Sequence, residues 1–293
     1  MKINKVLGMA ACISLVAVMS TSCVVRLNKK SIMVQVNDKV KERPSGVIAE
    51  KDTVVSAFTA LQVSGPIDVR FVESESAPSV RIKGSDNIIP YVKVEYNAVS
   101  STLSISLKDA VAVIDDIEVT INAPAFTKLE MSGSSSFEGD VIGVAGEHSD
   151  IAIAGSADLD VKVITAGSLK MASAGSADIE IGRIAVKDQI FIALAGSGDI
   201  EADSVRGSRI EISIAGSGDV DLEGIDVNNM KASIAGSGTM LLSGNVVEDV
   251  FYSISGSGDI NAENLSCPSV STKTKGSGVI RYRDSGGRVV KVD

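Results

Sequence analysis

The sequence predicts an all-β chain wound as a β-solenoid of about 20 residues per coil, entered through a less regular β-rich segment. Three observations lead there. A glycine block recurs at a fixed interval, apolar residues fall into columns when the chain is aligned on that block, and within each repeat they alternate with a period of two.

The block is Ala-Gly-Ser-Gly-Asp-Ile and its variants. Its first glycine stands at Gly133, Gly155, Gly175, Gly196, Gly216, Gly236, Gly256 and Gly276, in steps of 22, 20, 21, 20, 20, 20 and 20. Two residues before it stand Met131, Ile153, Leu194, Ile214, Ile234 and Ile254; four after it stand Leu159, Ile179, Ile200, Val220, Met240, Ile260 and Ile280. Spacing of two on each side of the glycine means strands whose alternate side chains share one interior. A helix would need spacings of three and four. Each coil therefore holds a strand ending at the glycine, a corner, a second strand and a short third segment. No coil hides its apolar side alone, so stacking must supply the core.

Upstream, residues 54–128 read as the irregular β-rich start of the same solenoid. Leu61, Val63, Ile67, Val69 and Phe71 alternate, as do Leu103, Ile105 and Leu107, then Ile117, Val119 and Ile121, but without the tight period. Residues 129–293 hold the regular repeats and a basic end, where Lys273, Lys275, Arg281, Arg283, Arg288 and Lys291 gather. Charge at an open solenoid end blunts an edge that would otherwise recruit another strand.

The leading segment reads as export machinery. Residues 1–22 form a signal peptide: Lys2 and Lys5, an apolar run from Val6 to Met19, then small residues. The small residues lead directly to Cys23, which resembles the lipidated cysteine of bacterial lipoproteins, with Ser20 where such boxes usually carry Leu. Residues 23–53 are then the lipidated cysteine and a polar tether. The expected location is the cell envelope, as an outer-membrane lipoprotein facing either the periplasm or the surface, with the lipid on Cys23 as its membrane partner. Cys12 falls inside the leader, so Cys267 stands alone in the body and no internal disulfide is available.

Composition narrows the function. The net charge is −9, becoming about −11 once Lys2 and Lys5 are removed. Phosphate backbones require a basic footprint, so nucleic acid is excluded as a partner. With 3% aromatic residues and no Trp, few rings are available to stack sugars.

Taken together, the AGSGDI and SGSGDI blocks, the Phe58-to-Phe71 segment with SGPIDV, KGSDNII at 83–89 and TINAP at 120–124 resemble the head GIN domain family of auto-transporter adhesins. The resemblance covers about residues 54–282. It implies a right-handed parallel β-helix on a secreted or lipid-anchored protein, and an adhesin-like role for which the family supplies no catalytic residues.

Two acid columns are the main chemical feature. Asp158, Asp178, Asp199, Asp219 and Asp259 form the first, interrupted by Thr239; Asp160, Glu180, Glu201 and Asp221 form the second. Like charges stacked about 5 Å apart in water repel by about 0.8 kcal/mol per pair. A Ca²⁺ ion would relieve this, so Asp178, Glu180, Asp199, Glu201, Asp219 and Asp221 are candidate calcium ligands. The competing reading gives the Asp a turn-capping role and the acidic face a solubilising one. The corner serines have no base beside them in sequence, the chain's one His being His148, and no zinc-ligand spacing exists. The expectation is a binding or adhesin-like envelope protein, not an enzyme, with a protein or carbohydrate surface ligand. A polysaccharide-active β-helix enzyme and a structural periplasmic protein are the alternatives.

Overall fold

The computed structural model describes residues 40–108, 111–113 and 117–293. The expected signal peptide, Cys23 and most of the expected tether lie outside them. The fold is a parallel β-solenoid, and each coil contributes strands to separate faces. One face is built from strands ending at the glycine column, such as His148–Gly155, Ser168–Gly175, Gln189–Gly196 and Arg209–Gly216. The next holds the strands after the corner, including Asp158–Ala166 and Asp178–Val186. One short helical element occurs among the described residues, the 3-10 turn Ile89–Tyr91.

The periodicity is realised as register. Ile179 pairs with Ile200 and Ile200 with Val220, and all three are buried. On the preceding face Ile192 stacks on Ile212, and Leu194 on Ile214 and then Ile234. Parallel ladders hold neighbouring coils about 4.8 Å apart, so each column is a continuous file of aliphatic side chains.

The glycine column makes the corner possible. Gly196 has φ +141°, and a Cβ there would lie 2.0 Å from the Gly175 carbonyl oxygen one coil below. Only a residue without a side chain permits that approach together with that backbone. The corners bond through their backbones: the Ser197 amide donates to the Gly175 carbonyl at 2.9 Å and the Ser217 amide to Gly196 at 2.9 Å.

The start of the solenoid is stacked out of chain order. Ala60–Ser64 pairs in parallel with Thr102–Leu107 on one side and with Lys128–Gly133 on the other. Likewise Asp68–Glu73 lies between Glu118–Ala123 and Ser136–Ile142. The segment at 60–73 is thus inserted between two later segments, and Glu130 sits on Gln62, 68 residues earlier. Phe58, Phe71, Phe126 and Phe137 are all buried at this crossing. Phe71 and Phe126 meet edge to face with ring centroids 4.9 Å apart. This cluster uses four of the chain's six Phe, concentrating the large side chains where the chain doubles back.

Both ends are closed by antiparallel pairing. Ser79–Ser85 runs antiparallel to Ile48–Val54 and to Glu118–Ala123, and Val92–Asn97 runs antiparallel to Thr102–Leu107. At the far end Val279–Arg283 and Val289–Val292 form a hairpin. The strand Ser269–Gly276 has a ladder partner on one side only among the described residues. Lys273 and Lys275 lie on this edge strand, and Thr272 and Thr274 replace the Tyr252 and Ile254 of the coil beneath. Lysine on an edge discourages further strand addition.

Candidate functional site

The acid columns stand on the face that follows the corner. In the coil Asp178–Val186 the exposed Asp178 and Glu180 flank the buried Ile179, and Asp199 and Glu201 flank Ile200 in the next. The register pairs Asp178 with Asp199 and Glu180 with Glu201, then Asp199 with Asp219 and Glu201 with Asp221. The six candidate calcium ligands are therefore brought together as two parallel files, three coils long.

The first file has a structural job. The Asp219 carboxylate accepts the backbone N–H of Thr239 at 2.7 Å, and Asp199 accepts that of Asp219 at 3.2 Å. Asp259 accepts the N–H of Val279 at 2.9 Å. These side chains cap not their own turn but the corner of the next coil. Each satisfies a backbone donor that leaves the corner before the ladder resumes. Sequence spacing shows the column but not the direction of this bond.

The second file is open to solvent at Asp160, Glu180 and Glu201. It ends at Leu241, which is 43% exposed, so the coil carrying Thr239 and Leu241 interrupts both acid columns. A shallow groove of about 250 Å³ runs beside it, lined by Asp160, Lys162, Glu180, Ile181, Gly182, Glu201 and Asp203. Gly182 opens it by leaving out a side chain between Lys162 and Asp203. The Lys162 ammonium is turned away to the Asp140 carboxylate. That hydrogen bond, and then the charge behind it, holds the Asp140 carboxyl below its ordinary range and the lysine above its own.

Calcium takes six to eight oxygens from several directions. Among the described residues, no three His, Cys, Asp or Glu side chains converge in a way that would hold a metal ion. Flat files one strand spacing apart present their carboxylates side by side, not around a centre.

The corner serines Ser176, Ser197, Ser217, Ser237 and Ser257 are exposed, and their ladder runs through backbone amides. His148 is remote from that column in register. Its Nδ1 lies 2.8 Å from the Ser168 hydroxyl, its register partner on the neighbouring coil of the face that precedes the corner. Among the described residues no carboxylate is hydrogen-bonded to the imidazole, so the third member that orients a catalytic base is missing. Cys267 is buried, with its sulfur 3.0 Å from the Ser269 carbonyl oxygen. Burial pushes its thiol pKa up, which disfavours the reactive thiolate. No helix among the described residues is long and apolar enough to cross a membrane.

Three solved structures share this architecture. A "putative adhesin" from Parabacteroides distasonis superposes with a TM-score of 0.73 at 22% identity, covering 83% of this chain and 99% of its own. A "putative adhesin" from Parabacteroides merdae gives 0.72 at 22%, with 83% and 98% covered. A "putative lipid binding protein" from Parabacteroides distasonis gives 0.70 at 21%, with 83% and 99% covered. These likenesses establish the fold. No curated protein matches the sequence. The family model described as "Putative auto-transporter adhesin, head GIN domain" matches residues 57–203 and again 183–287, nearly the whole solenoid. The chain belongs to the head GIN domain family.

Proposed function

We propose that this chain is an exported envelope protein, anchored through lipid on Cys23, whose regular faces bind a protein or carbohydrate surface ligand without catalysis. The observation that carries this reading is the use of the acid columns. Their carboxylates cap the rod's own backbone or line open, evenly charged files, and do not gather around one reacting position. Membership in an adhesin family supports a binding role in the envelope. A long rod offers many equivalent contact points, which suits weak contacts repeated along a surface.

The test combines anchoring and display. Cells producing the full chain with a C-terminal tag are treated with protease, and in parallel with a Cys23→Ser variant are fractionated. The expected result is a membrane-bound wild type, release of the variant from the membrane, and loss of the tag from intact cells. Full protection of the tag would overturn surface binding in favour of a periplasmic structural role. Release of reducing ends from polysaccharides by the purified protein, lost on Asp199→Asn or Asp219→Asn, would overturn the non-enzymatic reading.

A further inference from the structure

The outer side of the face ending at the glycine column carries many small side chains. Four columns point outward: one, at the strand starts, is polar (Gln189, Arg209, Asn229), and two are almost entirely small, Ala172, Ala193 and Ser213 following one another in register, as do Ala174, Ala195 and Ala215. The fourth column is large and ordered, running Lys128, Asp150, Lys170, Phe191, Glu211, Lys231, Phe251. Phe191 and Phe251 are the two Phe outside the interior cluster, and both remain partly exposed on this face.

That order is self-complementary under one operation. A two-fold axis in the plane of the face, parallel to the strands and passing through Phe191, reverses the order of the coils and keeps each column opposite itself. Phe191 then meets its own copy. Lys170 meets Glu211 of a second molecule, Asp150 meets Lys231, and Lys128 meets the Phe251 ring, a cation–π pairing. The small columns follow the same operation, with Ala172 opposite Ser213 and Ala174 opposite Ala215. Slipping the register by one coil puts Lys128 on Lys231 and Asp150 on Glu211, both repulsive. Slipping the other way puts Lys170 on Lys231. The pattern thus selects one register, which small residues alone would not do.

We propose that this face is an isologous dimer interface, its occupant a second copy of this chain related by a two-fold axis at Phe191. Such interfaces pair residue with residue reciprocally. About seven coils about 4.8 Å apart and the three columns nearest the corner, about 7 Å apart, give about 700 Å² per copy and about 1,400 Å² in total, in the lower part of the range for specific pairs, so dimerisation is concentration-dependent. The outward alanines and serines let two sheets approach closely without large side chains to order, while the charged column fixes direction. Glu211 already pairs with Lys231 within one molecule, so the second copy extends an existing charge network.

The test is disulfide cross-linking of the full chain in envelope membranes, with sedimentation of the detergent-extracted protein. Phe191→Cys lies on the axis and is expected to give a disulfide dimer well above the wild-type background. Ala195→Cys, also on the axis, is the second variant should the first fold poorly. Asp150→Cys alone lies about 19 Å from its copy across the axis and should stay uncross-linked. Asp150→Cys with Lys231→Cys should cross-link between chains. A monomer at every concentration, or cross-linking of Asp150→Cys as strong as that of Phe191→Cys, would overturn the proposal. So would a dimer whose axial cysteines stay reduced, since it would use another surface.

Discussion

The Asp219 carboxylate is hydrogen-bonded to the backbone amide of Thr239, 20 residues ahead and one coil up. The contact makes an acid column a device for joining coils. Truncating Asp219 to Ala leaves that amide to water, at a cost of about 1 kcal/mol. Asp219→Asn keeps an oxygen in place and should retain most of the stability. Denaturant titration of both variants checks this. Equal losses for Ala and Asn would mean that the charge, not the acceptor, matters. Added calcium is expected to leave the midpoint of the wild type unchanged, and a clear rise would show that the carboxylate files bind it.

Glycine in the corner column is required by geometry as well as conformation. Gly196→Ala puts a methyl on the Gly175 carbonyl and forces an L-residue to φ +141°. The expected loss is about 3 kcal/mol or more, with reduced soluble yield. Gly146 provides the comparison: it has φ +88°, but nothing lies within 4 Å of its would-be Cβ. Gly146→Ala should lose only about 1 kcal/mol. Similar losses at both sites would show that backbone strain alone decides.

Ser173 breaks an aliphatic file. It lies between Ile153 and Leu194 in register, is 2% exposed, and its hydroxyl has no hydrogen-bond partner. An unpaired buried hydroxyl costs about 1–3 kcal/mol. Ser173→Ala should therefore hold or raise stability, and Ser173→Val should raise it further by restoring the file. A loss on Ser173→Ala in calorimetry would mean that the hydroxyl has a partner, such as buried water.

The closing hairpin carries a pH dependence. Asp284 accepts the Arg288 amide at 2.9 Å, and its side chain also meets the Arg288 guanidinium. The backbone hydrogen bond from Arg288 is the leading cause that lowers the Asp284 pKa. A lowered native pKa means the contribution is full above the unfolded value of about 4 and fades as pH falls through the native one. Amide protection of Val289–Val292, corrected for intrinsic exchange, should therefore decline in acid, and Asp284→Asn should remove that decline. An unchanged profile in the variant would assign the effect elsewhere.

How much was legible in sequence follows from what repeats. The columns at Ile179, Ile200 and Val220 were visible because an identical environment recurs every coil and selects like residues. The insertion of residues 60–73 between 102–123 and 128–142 was not, because a strand that pairs with a later segment leaves no period behind. Its trace is the clustering of Phe58, Phe71, Phe126 and Phe137, which sequence alone does not bring together. Sequence spacing shows the file that holds Asp199 and Asp219 but not its bonds to the next coil, since spacing fixes a column and not which amide a carboxylate reaches. The self-complementary order on the Phe191 column became readable only once register was known.

Stacking of coils in this particular order is the claim everything else uses, and spin-label distances test it most directly. In register, Thr120, Arg70, Glu138, Asp160, Glu180, Glu201, Asp221, Leu241 and Asn261 follow one another along the rod. Labels at Asn261 and at Asp160, Arg70 or Thr120 should then lie about 24, 34 and 38 Å apart, from a spacing of about 4.8 Å per coil. Thr120 should be the most distant although it is nearer than Arg70 in sequence. A shorter distance for Thr120 than for Arg70, or distances that do not grow with coil number, would contradict the account.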